Sequence, residues 1–227
     1  MSDVPRLAVL DIDGTMTDSI AVHHAAFLAT MESFAFPNLD SNWDGYPHHT
    51  DTAIFVEAWR RAGWLGPSEA QQRTFFERLE QRFKEESATR AIREIPGAGA
   101  FVAALRADGW RVVFATGGLR GTARIKLRMA GIAFDEARLV TASEHVTREE
   151  LVTAAIDAAL AGQDAAAAHI VAVGDGLWDM LTAETLGLHF LGVASGTKVA
   201  RLTERGARVL PDFTDLEKTL ALMADPG

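Results

Sequence analysis

The chain has 227 residues, 48% of them hydrophobic, and a net charge of −9 from 31 acidic against 22 basic side chains. That length and composition describe a globular chain able to bury a sizeable core, as one large domain or one domain carrying an insertion. The acidic balance argues against a nucleic-acid backbone or an anionic membrane as the main partner, and the absence of cysteine removes disulfides, thiolate metal sites and a cysteine nucleophile.

From the start of the chain, MSDVPRL has an acid and a proline where a signal peptide needs a basic start and an apolar stretch, and no apolar run approaches a membrane span. Cytoplasmic residence is the default expectation. Short β-rich runs then alternate with longer helical patterns, the mark of a parallel sheet covered by helices. Strands are predicted at 7–10, 111–115, 138–141, 169–173, 190–193 and 208–210, with helices over 97–108, 119–130, 148–161, 178–186, 198–205 and 215–223. The stretch 16–90 breaks the alternation, with helical periodicity at 20–34, 52–62 and 69–87 and no convincing strand. The expected fold is therefore α/β: a Rossmann-like parallel sheet formed by 1–15 and 91–227, with an all-helical insertion at 16–90.

Chemistry-bearing residues follow three of the strands: Asp11 and Asp13 after the first, Thr116 in ATGG after the second, and Asp175 and Asp179 in VAVGDGLWD after a later one. Singly, each reads as a turn residue, a helix cap or an exposed acid. Together they converge, because open parallel sheets bind ligands at the carboxyl ends of their strands. Two carboxylates one residue apart oppose each other's ionisation unless a cation lies between them. Hard oxygen ligands from a few carboxylates, Asp11, Asp13 and Asp175, describe a magnesium site. A carboxylate beside such a metal can attack phosphorus, and a second one two residues on can protonate the leaving oxygen and later activate water. Thr116 can bond a phosphate oxygen, and the backbone N–H groups around Gly117 at a helix start form an anion site.

These residues resemble the haloacid dehalogenase superfamily in its phosphatase branch. The resemblance rests on DxDGT as Asp11, Asp13, Gly14 and Thr15, on the strand-then-threonine VVFATGG, and on GDxxxD as Gly174, Asp175 and Asp179, in the family's order along essentially the whole chain. It implies that the helical insertion is a cap closing over the site. By the same resemblance Asp11 is the nucleophile and Asp13 the general acid/base, while Asp175 supports Mg²⁺ with Asp179 ligating directly or through water. The metal set is then Asp11, Asp13, Asp175 and Asp179, and the substrate class a small phosphorylated metabolite, phosphoglycolate-like or a sugar phosphate.

The family usually supplies a lysine between the second and last signatures, and here no lysine occurs between Lys126 and Lys198. Arg148, opening the helix in VTREELVTAAI, is the best substitute as a catalytic and phosphate-binding cation, with His145 a weaker one. In the insertion, His49, Thr50 and Asp51 are expected at the substrate, with Asp51 also suited to cap the next helix. Adjacent His48 and His49 lack zinc-ligand spacing. Trp59, Trp64, Trp110 and Trp178 are expected to be packing residues. Within the superfamily, a dehalogenase needs no aspartate at position 13 and a phosphonatase needs a cap lysine, for which Lys84 in QRFKEE is a poor choice. A phosphomutase uses the same two aspartates and stays open. A non-catalytic phosphate-binding or regulatory module would have no use for an acid/base. Neither nucleic acid nor membrane is expected as a partner, and the chain is expected to be a monomer or small homo-oligomer.

Overall fold

The apolar run Leu7–Leu10 is buried on both faces, as a central strand of a doubly covered parallel sheet must be. In the computed structural model, which describes residues 4–225, it belongs to β1 (Arg6–Leu10). The other strands are β2 (Arg111–Thr116), β3 (Leu139–Thr141), β4 (His169–Gly174), β5 (His189–Val193) and β6 (Arg208–Leu210). They form one sheet in the order β3-β2-β1-β4-β5-β6, with every pairing parallel. From β1 the chain builds outward to β2 and β3, then returns to place β4 on the other side of β1. The order reverses between β1 and β4, and a crevice opens at the carboxyl ends of strands at such a reversal.

Alternate strand residues face opposite layers. Ala8, Leu10, Val112 and Phe114 pack with α4 (Ala98–Ala107), α5 (Arg120–Met129) and α9 (Leu216–Ala224). Leu7, Val9, Val113 and Ala115 pack with α6 (Arg148–Leu160). Two further helices, α7 (Leu177–Leu186) and α8 (Thr197–Thr203), follow β4 and β5. Register then decides what meets at the crevice. Leu10 lies level with Phe114 and Val173, and the Asp11 N–H donates to the Val173 carbonyl at 3.0 Å. Asp11 and Asp13 therefore sit one step below and one step above the level of Thr116 and Asp175.

The insertion folds as α1 (Ile20–Glu32), α2 (Asp51–Arg61) and α3 (Glu69–Thr89). These helices share an apolar cluster in which Phe55 stacks on Phe75 with ring centres 4.3 Å apart. Their cluster continues into the sheet unit through Leu119 and Ala142. The two connecting segments pair with each other, Asp18 N–H donating to the Arg93 carbonyl and Ile95 N–H to the Met16 carbonyl, both at 2.9 Å. The predicted elements all occur, with ends displaced by one or two residues. Thus α1 stops at Glu32 rather than 34, and Ala35 beyond it has φ +52°.

Candidate active site

The chain turns sharply after β1 at Gly14, whose φ of +81° admits no ordinary side chain and whose Cβ would collide with the Asp175 carboxylate. The turn leaves Asp11 buried, its Oδ2 accepting from the Thr15 hydroxyl at 3.1 Å. Burial pushes the Asp11 carboxyl well above its usual range; Asp179 and Asp175 push it further and Arg148 opposes them. After β4, burial and the neighbouring Asp179 push Asp175 up to about 6, although Lys198 of α8 donates to it. Asp179, in the first turn of α7, accepts from the Gly176 N–H at 3.0 Å and from the Arg148 guanidinium.

One carboxylate oxygen each from Asp11, Asp175 and Asp179 lies within 4.8 Å of the others, all three residues being buried. Three buried hard-oxygen donors suit a divalent cation such as Mg²⁺, which would let Asp11 and Asp175 stay ionised. The structure differs from expectation at the fourth residue. The Asp13 side chain is absent from this cluster because it is already engaged: Oδ1 accepts from the Ser19 hydroxyl and Oδ2 from Lys126 Nζ at 2.6 Å. Burial pushes Asp13 up, but Lys126, His23 and these hydrogen bonds outweigh it and hold the carboxyl below its usual range.

Lys126 is the main residue that motif reading passes over. Its side chain is fully buried, and Nζ also lies 3.1 Å from His23 Nδ1. A lysine has only donors, so Nδ1 accepts and the proton sits on Nε2, which donates to Asp51 at 2.9 Å. A chain of contacts thus runs from Asp13 through Lys126 and His23 to Asp51 in the insertion. The signal was a lysine inside the buried stripe Thr122, Ala123, Lys126 and Leu127 of α5. Lys126→Met is expected to lower stability by about 3 kcal/mol, the low end for breaking a buried ion pair, because Asp13 keeps some contact with solvent. Urea denaturation measures it; a loss under about 1 kcal/mol would reduce the contact to an ordinary surface pair.

Arg148 opens α6, whose N-terminus is closed by a capping box between Thr147 and Glu150. That box aims the guanidinium inward. Nη1 donates to Asp179, and Nε is buried without a partner among the described residues. Burial would lower its affinity for a proton, but the surrounding Asp179, Asp11, Asp175 and Asp13 more than reverse this, so Arg148 stays charged. The lysines that bound the stretch lacking lysine, Lys126 and Lys198, both reach the carboxylates as well.

Thr116 ends β2 and its hydroxyl accepts from the Gly118 N–H at 3.1 Å. A Cβ on Gly117 would lie 2.6 Å from the His49 carbonyl, so this position must be glycine for the insertion to close against it. The 49–51 segment is fastened there. Asp51 N–H donates to the Gly117 carbonyl at 2.8 Å, and the Asp51 carboxylate accepts from the Leu119 N–H at 3.1 Å. Thr50, not Asp51, caps α2, accepting from the Ala53 N–H at 3.1 Å, and its hydroxyl donates to the Val146 carbonyl. Asp51 instead bonds the start of α5. His49 stacks on Trp178 with ring centres 4.4 Å apart, so Trp178 belongs to the site and not only to packing.

Asp11, Asp13, Thr116, Gly117, Arg148, Asp175, His49 and Asp51 line one cavity of about 420 Å³, together with residues of α1 and α8. Asp179 lies behind it, next to Arg148. A depression of about 850 Å³ at the opposite, amino-terminal end of the strands has Asp108 as its one carboxylate among the described residues and gathers no such cluster from them.

A buried carboxylate at a strand reversal, a second acid two residues later and a buried acidic cluster beside an arginine match a hydrolase of the haloacid dehalogenase type. The chain belongs to this family: the haloacid dehalogenase-like hydrolase model matches residues 5–187. No curated protein sequence matches it. Among solved structures, a hydrolase from Pseudomonas syringae is 23% identical, with a TM-score of 0.73 over 95% of this chain and 98% of its own. A candidate β-phosphoglucomutase from Bacteroides vulgatus is 20% identical, with a TM-score of 0.71 over 99% and 92%. CbbY from Rhodobacter sphaeroides, in complex with phosphate, is 18% identical, with a TM-score of 0.68 over 93% and 96%. No described helix is long and apolar enough to cross a membrane.

Proposed function

We propose that the protein is a Mg²⁺-dependent phosphatase that hydrolyses a small phosphomonoester through an aspartyl-phosphate on Asp11. The observation that carries this reading is the position of the Asp11 carboxylate, buried among Asp175, Asp179 and Arg148, with Asp13 on a separate hydrogen-bond network two residues away. An Asp11 oxygen attacks phosphorus, the bond from phosphorus to the leaving oxygen breaks, and that oxygen takes a proton from Asp13. Asp13 then removes a proton from water, whose oxygen attacks phosphorus and releases phosphate from Asp11. Lys126 holds Asp13 ionised, the form the second step needs. The first step draws on the protonated fraction, which an approaching phosphate dianion enlarges. Arg148, Thr116 and the amides near Gly117 bind phosphate oxygens, with α1–α3 acting as the cap. Mg²⁺ held by Asp11, Asp175 and Asp179 would supply positive charge against the repulsion between carboxylate and phosphate.

A phosphomutase shares the two aspartates but must grip a second phosphate. Among the described residues the insertion lines the cavity with no lysine or arginine, which favours hydrolysis. The test is phosphate release from 4-nitrophenyl phosphate with and without Mg²⁺, with hydroxylamine trapping of the acyl phosphate. Activity that survives chelation, or no trapped intermediate, counts against the reading.

Mg²⁺ is also expected to stabilise the fold. At roughly 100 times its dissociation constant it adds about 2.7 kcal/mol, or about 5–10 °C in Tm for a chain of this size. The gain should grow with pH. In the metal-free protein native Asp175 holds its proton up to about 6. The unfolded carboxyl releases its own near about 4. Over that window the native state binds more protons, so apo stability falls as pH rises. Asp11 acts in the same sense, whereas the lowered Asp13 contributes stability that is lost on acidification. Melting curves at pH 5 and 7.5 should show the larger Mg²⁺ effect at 7.5, and Asp175→Ala should remove most of it. Equal curves at both pH values with and without metal contradict the assignment.

A further inference from the structure

The insertion lines the cavity with His23, His49 and Asp51 on one side and with an aromatic and apolar patch on the other. Ile20, Phe27, Trp43 and Ile54 form that patch together with His24. Trp43 stands edge-on to Phe27, ring centres 5.1 Å apart at 87°, and edge-on to His24 at 6.3 Å. From the sheet unit, Trp178 adds another aromatic ring. The Trp43 indole N–H is buried and has no partner among the described residues.

The cationic side chains of the cavity are placed differently. Arg148, Lys198 and Arg201 all come from α6 and α8, and the first two are bonded to Asp179 and Asp175. Of the insertion's polar residues, His23 is held between Lys126 and Asp51. A hydroxyl-rich or carboxylated leaving group pressed against Ile20, Phe27 and Ile54 would lose water there to side chains that offer no hydrogen bond in return. An aromatic ring there would bury apolar surface and find edge and face contacts.

We propose that the leaving group of the phosphomonoester is an uncharged aromatic alcohol, seated against Phe27, Trp43 and Ile54, rather than glycolate or a sugar. This rests on the phosphatase reading and narrows its substrate class. The reaction is unchanged: the phosphorus–oxygen bond breaks, and the aromatic alcohol leaves with the proton from Asp13.

The experiment compares kcat/KM of the Mg²⁺-loaded protein for benzyl phosphate, 2-phosphoglycolate, glycerol 3-phosphate and glucose 6-phosphate, whose leaving oxygens are all aliphatic. Benzyl phosphate is expected to exceed each of the others at least roughly tenfold, the scale set by apolar pocket complementarity. Trp43→Ala should reduce the ratio of benzyl phosphate to 2-phosphoglycolate by a similar factor, a comparison made within one variant and so independent of how much of it folds. A sugar phosphate or phosphoglycolate used as well as benzyl phosphate overturns the inference while leaving the phosphatase reading intact. An unchanged ratio in Trp43→Ala also overturns it. No phosphate release from any ester, 4-nitrophenyl phosphate included, removes the phosphatase reading and this inference together.

Discussion

Asp11→Asn is expected to abolish turnover and to raise the stability of the metal-free protein. The amide keeps the shape of the carboxylate but has no anionic oxygen to attack phosphorus. The loss should be roughly four to six orders of magnitude in kcat, the scale on which hydrolases lose activity when a nucleophile is removed. The stability gain has a separate cause. Burial and the neighbouring Asp179, Asp175 and Asp13 carboxylates oppose ionisation of Asp11, an unfavourable contribution to the native state that the amide removes. Asp13→Asn should be inactive with the opposite stability change, because it takes the partner of buried Lys126 while sparing the Asp11, Asp175 and Asp179 cluster. Calorimetry and stopped assays on the two variants read both quantities. If Asp11→Asn keeps most of its activity, with contaminating phosphatase excluded, the covalent route is wrong.

Arg148→Ala is the second large effect, and Arg148→Lys should be milder. The guanidinium is bonded to Asp179, and both Asp11 and Asp175 bear on its charge. Taking it away leaves these anions uncompensated at about 3–5 kcal/mol for a buried pair, or roughly two to three orders of magnitude in rate where the loss falls on the transition state. Lysine returns the charge without the planar fork, so it should recover only part of the rate. His145 does not line the cavity, and His145→Ala should leave kcat/KM within a few-fold of the parent. Near-normal turnover in Arg148→Ala with collapse in His145→Ala would show that the phosphate-binding cation lies three residues earlier in the chain.

Much of this arrangement was legible from residue order. Alternating strand and helix periodicity implied a parallel sheet, and a parallel sheet collects the residues that follow its strands at one edge, so Asp11, Thr116 and Asp175 could be grouped before their distances were known. The helices α1, α2 and α3 were legible for the same kind of reason, since helical periodicity is a local property. Arg148 was singled out because the family resemblance calls for a cation between the second and last signatures and Arg148 opens a helix there, and in the structure it begins α6.

The tertiary structure alone decided how the charges are paired. Lys126 and Asp13 are 113 residues apart, and no local pattern indicates that a lysine in the buried stripe of α5 takes Asp13 out of the carboxylate cluster. The same holds for Lys198 on Asp175, for His23 between Lys126 and Asp51, and for the stacking of Trp178 on His49. Asp51 was expected to cap its own helix, but Thr50 does so and frees Asp51 for the start of α5. Periodicity reports which face of an element is buried and hence that a polar residue there needs a partner; the partner's identity depends on which elements pack side by side, and that is set by the assembled core.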